Sequence, residues 1–200
     1  MSRLAKFLIA CSLLALPAYA GNTRKTDEKK KVKQRVVTTY DPKKDVTAVG
    51  LPTIIISEKP DAGGTGLPLP SLNEGLRLTV FFTHPGKIFA PQEFVTLSFL
   101  SVTKGKALYA EGEELLVKTK DARTSLGKLT LKNTNVSIEF PGRKIQALYQ
   151  DLSLQLSRDD FNRLLSEKSL TLLLGKTSVK LGKEEMAGLR ELAGRLVAAQ

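Results

Sequence analysis

Residues 152–197, LSLQLSRDDFNRLLSEKSLTLLLGKTSVKLGKEEMAGLRELAGRLV, decide the fold. Leu152, Leu154 and Leu156 alternate with Ser153, Gln155 and Ser157, a period of two that puts the leucines on one face of a strand. Ser157 is placed to cap a helix, with Asp160 positioned to reach back and Asp159 and Asp160 at the positive end of the helix dipole. Phe161, Leu164 and Leu165 give that helix a single apolar stripe. Leu170, Leu172 and Leu174 resume the strand period, and Gly175-Lys176 is a two-residue hairpin link into a strand carrying Val179 and Leu181. Glu184 and Glu185 open a last helix with Met186, Leu189, Leu192, Ala193 and Leu196 on one face. Arg190 and Arg195 fall in its later turns. Gly188 and Gly194 each cost such a helix about 1 kcal/mol against Ala, so packing on a sheet must hold it.

Upstream, short alternating runs repeat. Val36 to Tyr40 and Asp45 to Val49 flank an Asp41-Pro42 turn, and Ile54, Ile55 and Ile56 form another run. Leu76, Leu78, Val80 and Phe82 alternate, as do Val95, Leu97 and Phe99. The pairs Leu115/Val117 and Leu129/Leu131 follow, then Val136, Ile138 and Phe140, and then Ile145, Ala147 and Tyr149. Residues 61–70 form a Gly/Pro-rich loop, and His84-Pro85-Gly86 is expected as a surface turn. Many short strands joined by turn residues predict an α+β, mainly antiparallel β chain: a sandwich or curved sheet with two C-terminal helices packed on it. The domain expected is residues 36–200.

Residues 1–20 are expected to be a signal peptide. Arg3 and Lys6 form a charged start, Phe7 to Leu16 an apolar centre, and Ala18-Tyr19-Ala20 a small-x-small cleavage site. The expected location is therefore outside the cytoplasm, in the periplasm or beyond it. The rival is a lipoprotein anchored at Cys11, since Leu8-Ile9-Ala10-Cys11 resembles a lipobox. Cys11 is the sole cysteine, so cleavage leaves a chain without disulfide, thiolate nucleophile or cysteine-bound metal. The formal charge is +11, and losing Arg3 and Lys6 takes it to +9.

Residues 21–35 are expected to be a disordered basic arm. Arg24, Lys25, Lys29, Lys30, Lys31, Lys33 and Arg35 stand against Asp27 and Glu28, with almost no apolar residue between them. Such a charge run reads first as a solvated tail; its functional reading is electrostatic contact with an anionic surface or polymer, and an envelope protein is a separate candidate partner.

Motifs for chemistry are incomplete. Gly175-Lys176-Thr177 resembles the end of a phosphate-binding loop, but the required earlier glycine is Leu170. Gly63-Gly64-Thr65-Gly66 is followed by Pro68 and Pro70 where a helix should start. His84 is the only histidine, and no serine stands on a recognisable nucleophile elbow. Glu111, Glu113 and Glu114 lack the alternating Asp/Asn spacing of a calcium loop and fit a turn between strands. Phe81, Phe82, Phe94 and Phe99 fall in apolar strands and are expected in the core. Asn135-Val136-Ser137 fits a glycosylation sequon, relevant only to a eukaryotic secretory route. No cofactor, metal or catalytic residue is expected.

The run FNRLLSEKSLTLLLGKTSVKLGKEEMAGLRELAGRL, with VTLSFLS upstream, resembles a group of secreted bacterial proteins of unassigned function. Their endings share a helix, a strand closing on Leu-Gly, a second strand and a Leu-rich helix. The resemblance spans at most residues 36–197 and implies a β-rich exported domain with no catalytic residue. The leading expectation is an exported, non-enzymatic binding or structural module. The alternatives are a hydrolytic enzyme with a carboxylate/hydroxyl site and an accessory subunit of a secreted or envelope complex.

Overall fold

The leucine alternation at 152–156 is the end of a much longer strand, Arg143–Ser157. It belongs to a computed structural model that describes residues 36–59, 73–119, 122–140 and 143–197. The signal peptide, the basic arm and the glycine-rich loop lie outside the described residues. In chain order the strands are β1 (Val37–Asp41), β2 (Val46–Gly50), β3 (Ile54–Lys59), β4 (Glu74–Pro85), β5 (Phe94–Thr103), β6 (Glu114–Lys118), β7 (Arg123–Lys128), β8 (Thr130–Phe140) and β9 (Arg143–Ser157). Helix α1 (Arg158–Leu165), the hairpin β10 (Leu170–Leu174) and β11 (Thr177–Leu181), and helix α2 (Lys183–Arg195) complete it.

All the strand pairings are antiparallel and make two sheets. The larger runs β1-β2-β4-β5-β9-β8, with β3 following β2 along the same edge of β4. The smaller runs β11-β10-β6-β7. Both sheets and both helices share one apolar core. Leu78 and Leu97 of the larger sheet, Leu172 and Leu181 of the smaller, and Phe161 and Leu189 of the helices surround the same narrow void. The expected α+β chain with helices packed on antiparallel sheet is therefore what forms, as two sheets that share one core.

The C-terminal unit forms as its residues dictate. Ser157 caps α1, its Oγ accepting the Asp160 backbone N–H at 3.1 Å. The Asp160 carboxylate accepts the Ser157 hydroxyl at 2.7 Å. Gly175 turns the β10–β11 hairpin at φ +53°, a conformation that glycine adopts without Cβ strain. Gly182 caps α2 without a side chain, and the Glu185 carboxylate accepts the Gly182 N–H at 2.9 Å. Met186, Leu189, Leu192 and Leu196 are buried, each burial contributing roughly 1.5–3 kcal/mol. Arg190 joins the helices: its guanidinium donates to the Leu165 carbonyl at 3.1 Å and to the Glu167 carbonyl at 2.7 Å. Those carbonyls lie at and just past the C-terminus of α1, where intrahelical donors run out.

Three sequence expectations change. Leu129/Leu131 and Val136/Ile138/Phe140 do not mark two strands; residues 130–140 are one strand. Likewise Ile145 to Tyr149 continues without a break into Leu152. Strand β7, RTSLGK, had no apolar alternation to reveal it, because it is an exposed edge strand. His84 is not a surface turn residue. It lies within β4, 3% exposed, on the inward face that begins with Leu76, Leu78, Val80 and Phe82. Its ring meets Phe89 edge-on at 5.5 Å, and its Nδ1–H donates to the Pro85 carbonyl at 3.1 Å.

Gln150 ties the two sheets together. It is fully buried on β9. Its Oε1 accepts the N–H groups of Leu108 at 2.6 Å and Tyr109 at 3.1 Å, and its Nε2 donates to the Tyr109 carbonyl at 2.9 Å. The loop so held carries the chain from β5 in one sheet to β6 in the other. Tyr109 OH then meets Thr177 Oγ1 at 3.1 Å, at the start of β11. These contacts fix β6 where it can pair with β10.

Candidate anion-binding face

Inward burial determines what the smaller sheet shows to solvent. Leu115 and Val117 of β6, Leu170, Leu172 and Leu174 of β10, and Val179 and Leu181 of β11 are buried. By the strand period, Leu116 and Lys118, Thr171 and Leu173, and Ser178 and Lys180 take the outer face. Register then aligns them in rows. Lys180 stands opposite Thr171, Thr171 opposite Lys118, and Lys118 opposite Arg123. The next row is Ser178, Leu173, Leu116 and Ser125.

The first row crosses all four strands with three cations and one hydroxyl. Lys118, Arg123 and Lys180 are exposed, and none forms an ion pair with a described residue. Leu170 pairs with Leu181 at this end of the sheet, so exposed Lys168 and Lys183 leave the strands there too. Among the described residues, Glu167, Glu184 and Glu185 are acids at the same end. Beside the second row, Glu114 accepts the Ser125 hydroxyl at 2.6 Å. Like charges directly opposite on neighbouring strands are destabilising, by a few tenths to about 1 kcal/mol. The Lys118/Arg123 pair is such a cost, and a bound anion would reverse it.

The larger sheet contrasts with this. Its outward Arg77 meets Glu58 at 3.1 Å. Hydrogen bonds from Asn73 first, and then from Arg77, hold the Glu58 carboxyl below its ordinary range. Asp151 accepts the Ser98 hydroxyl at 2.9 Å. Arg77 and Glu58 there neutralise each other.

Other sequence-marked residues fall apart from this face or lie outside view. Arg24, Lys25, Lys29, Lys30, Lys31, Lys33 and Arg35 lie outside the described residues. Glu111 and Gly112 form a turn, and Glu113 packs beside Gly175. Phe82 and Phe99 are in the core, Phe81 is half-buried, and Phe94 is exposed. Gly175-Lys176-Thr177 is hairpin and strand, with no helix following it. Asn135 is exposed on the edge strand β8. Among the described residues, no group of three or more His, Cys, Asp or Glu side chains is placed to hold a metal ion. Sequence reasoning missed Lys118, Arg123 and Lys180 because they are scattered in sequence and meet only through register. A signal did exist: Lys118 and Lys180 each take the outward phase of a strand with leucine or valine inward.

No protein-family model matches the chain, no curated protein matches it, and no solved structure matches its fold.

Proposed function

We propose that this chain is an exported, non-enzymatic binding module of the cell envelope or extracellular space. It holds an anionic surface or polymer against the outer face of its smaller sheet. The observation that carries the reading is the placement of Lys118 directly opposite Arg123, continued across Thr171 to Lys180, with no carboxylate of a described residue paired to any of the three. The row presents ammonium and guanidinium donors, which attract anions, and neither a carboxylate nor an imidazole stands in it to act as a base. The basic arm from Arg24 to Arg35 adds long-range attraction, and its lack of aromatic residues leaves specificity to the folded face.

The test is retention of the full chain on immobilised heparin across a salt series. Lys118→Gln, Arg123→Gln and Lys180→Gln together are expected to elute at clearly lower salt than the wild type. Releasing fewer counterions should also flatten the salt dependence. Unchanged elution of the triple variant would remove the face from the account. Export is tested separately by intact mass, which should place Gly21 at the N-terminus; a retained Met1 or an acylated Cys11 would contradict it.

A further inference from the structure

We infer that the polyanion this face takes is a linear acidic polysaccharide, an inference that rests on the anion-binding reading above and names its ligand class. Three features of the two rows carry it.

The first is extent. Lys180 and Arg123 are three strand spacings apart, about 14 Å at ~4.8 Å per strand. A single phosphate or sulfate cannot bridge that distance. The ligand has to be extended, with charges repeated along it, and it has to lie across the strands.

The second is what stands beside the cations. Leu173 and Leu116 are direct cross-strand partners on the outer face and are half-buried. Ser178 flanks Leu173, and Thr171 sits between Lys180 and Lys118; the Ser125 hydroxyl beside Leu116 is already engaged, donating to Glu114 at 2.6 Å and accepting from the Gly127 N–H at 3.2 Å. A sugar ring offers an apolar C–H face, hydroxyls at its rim and, in an acidic sugar, a carboxylate or sulfate. Those three chemistries match leucine, serine/threonine and lysine/arginine in adjacent rows. Arg123 adds a planar fork suited to two-point contact with a carboxylate or sulfate.

The third argues against nucleic acid. None of the eight residues in the two rows is aromatic. Single-stranded nucleic acid gains much of its affinity from bases stacked on aromatic side chains. On this face it would keep only its phosphate contacts.

The experiment compares the full chain on polygalacturonate, on single-stranded DNA, on anionic phospholipid vesicles and on neutral dextran, at about 0.15 M salt where loose charge attraction is screened. Polygalacturonate is expected to bind about tenfold more tightly than DNA or vesicles, and dextran not at all. The variant Leu116→Ser with Leu173→Ser, which keeps every cation, should lose most of that preference. A second measurement avoids any folding defect in the variant. Adding a galacturonate oligosaccharide to isotope-labelled wild type should shift amide resonances of residues 116–125 and 171–180. Equal or tighter binding of DNA or vesicles, or shifts confined elsewhere, overturns the polysaccharide. If the Lys118/Arg123/Lys180 variant still loses binding to every polyanion, the anion face itself stands. If that variant binds all of them as the wild type does, both readings fall.

Discussion

Lys118 lies directly opposite Arg123 across the β6–β7 pair, so two side chains of like charge occupy the closest lateral spacing that a sheet offers. Neither has an ion-pair partner among the described residues. Folding brings them together against their mutual repulsion. Leu115 and Val117, buried on the other side of β6, outweigh it, because burying each contributes roughly 1.5–3 kcal/mol.

Leu189 tests the C-terminal unit. It is 3% exposed and borders the void shared by both sheets and both helices. Leu189→Ala is expected to cost about 2–5 kcal/mol in denaturant unfolding. A loss below 0.5 kcal/mol, on the order of a surface substitution, would mean that α2 is not part of the common core.

Gln150 and Ser101 are register partners on the inward side of the larger sheet, and opposite outcomes are expected from them. Gln150→Leu leaves the N–H groups of Leu108 and Tyr109 and the Tyr109 carbonyl without their partner. Each orphaned group costs about 1–3 kcal/mol, so the variant should unfold at much lower urea. The buried Ser101 hydroxyl has no hydrogen-bond partner among the described residues, so Ser101→Ala should be neutral or stabilising. A strong loss at Ser101 would show that its hydroxyl is satisfied after all.

His84→Ala is expected to destabilise by on the order of 2 kcal/mol, because it empties a buried position against Phe89. Thermal unfolding of the variant reads this directly. A melting curve that overlays the wild type would restore the exposed-turn interpretation.

The legible part of the fold was the part set by local chemistry. Leu170 to Leu181 announced a hairpin through its period and Gly175, and Ser157 announced a helix through its cap. His84 was misread because Pro85-Gly86 signals a turn more loudly than one residue can signal an inward phase, although His84 continues the even-numbered stripe from Leu76 to Phe82. Strand β7 was silent because an edge strand needs no apolar face. The cationic row was illegible for a different reason. Arg123 and Lys180 are far apart in sequence, and only the β11-β10-β6-β7 order aligns them with Lys118. Local pattern says which residues face outward; neighbours across a sheet depend on topology.

The most direct measurement is urea unfolding of the wild type and of Arg123→Glu, each with and without saturating heparin. Replacing Arg123 by Glu turns a like-charge pair into an attractive one, so the free variant should be more stable, by up to about 1 kcal/mol. Heparin should stabilise the wild type, by about 2.7 kcal/mol at a hundredfold excess over Kd. That rise reports sites that exist only in the folded protein, because binding that is equal in the folded and unfolded states shifts nothing. The account predicts that Arg123→Glu gains intrinsic stability and loses the heparin-induced rise. The same rise in both proteins would contradict it.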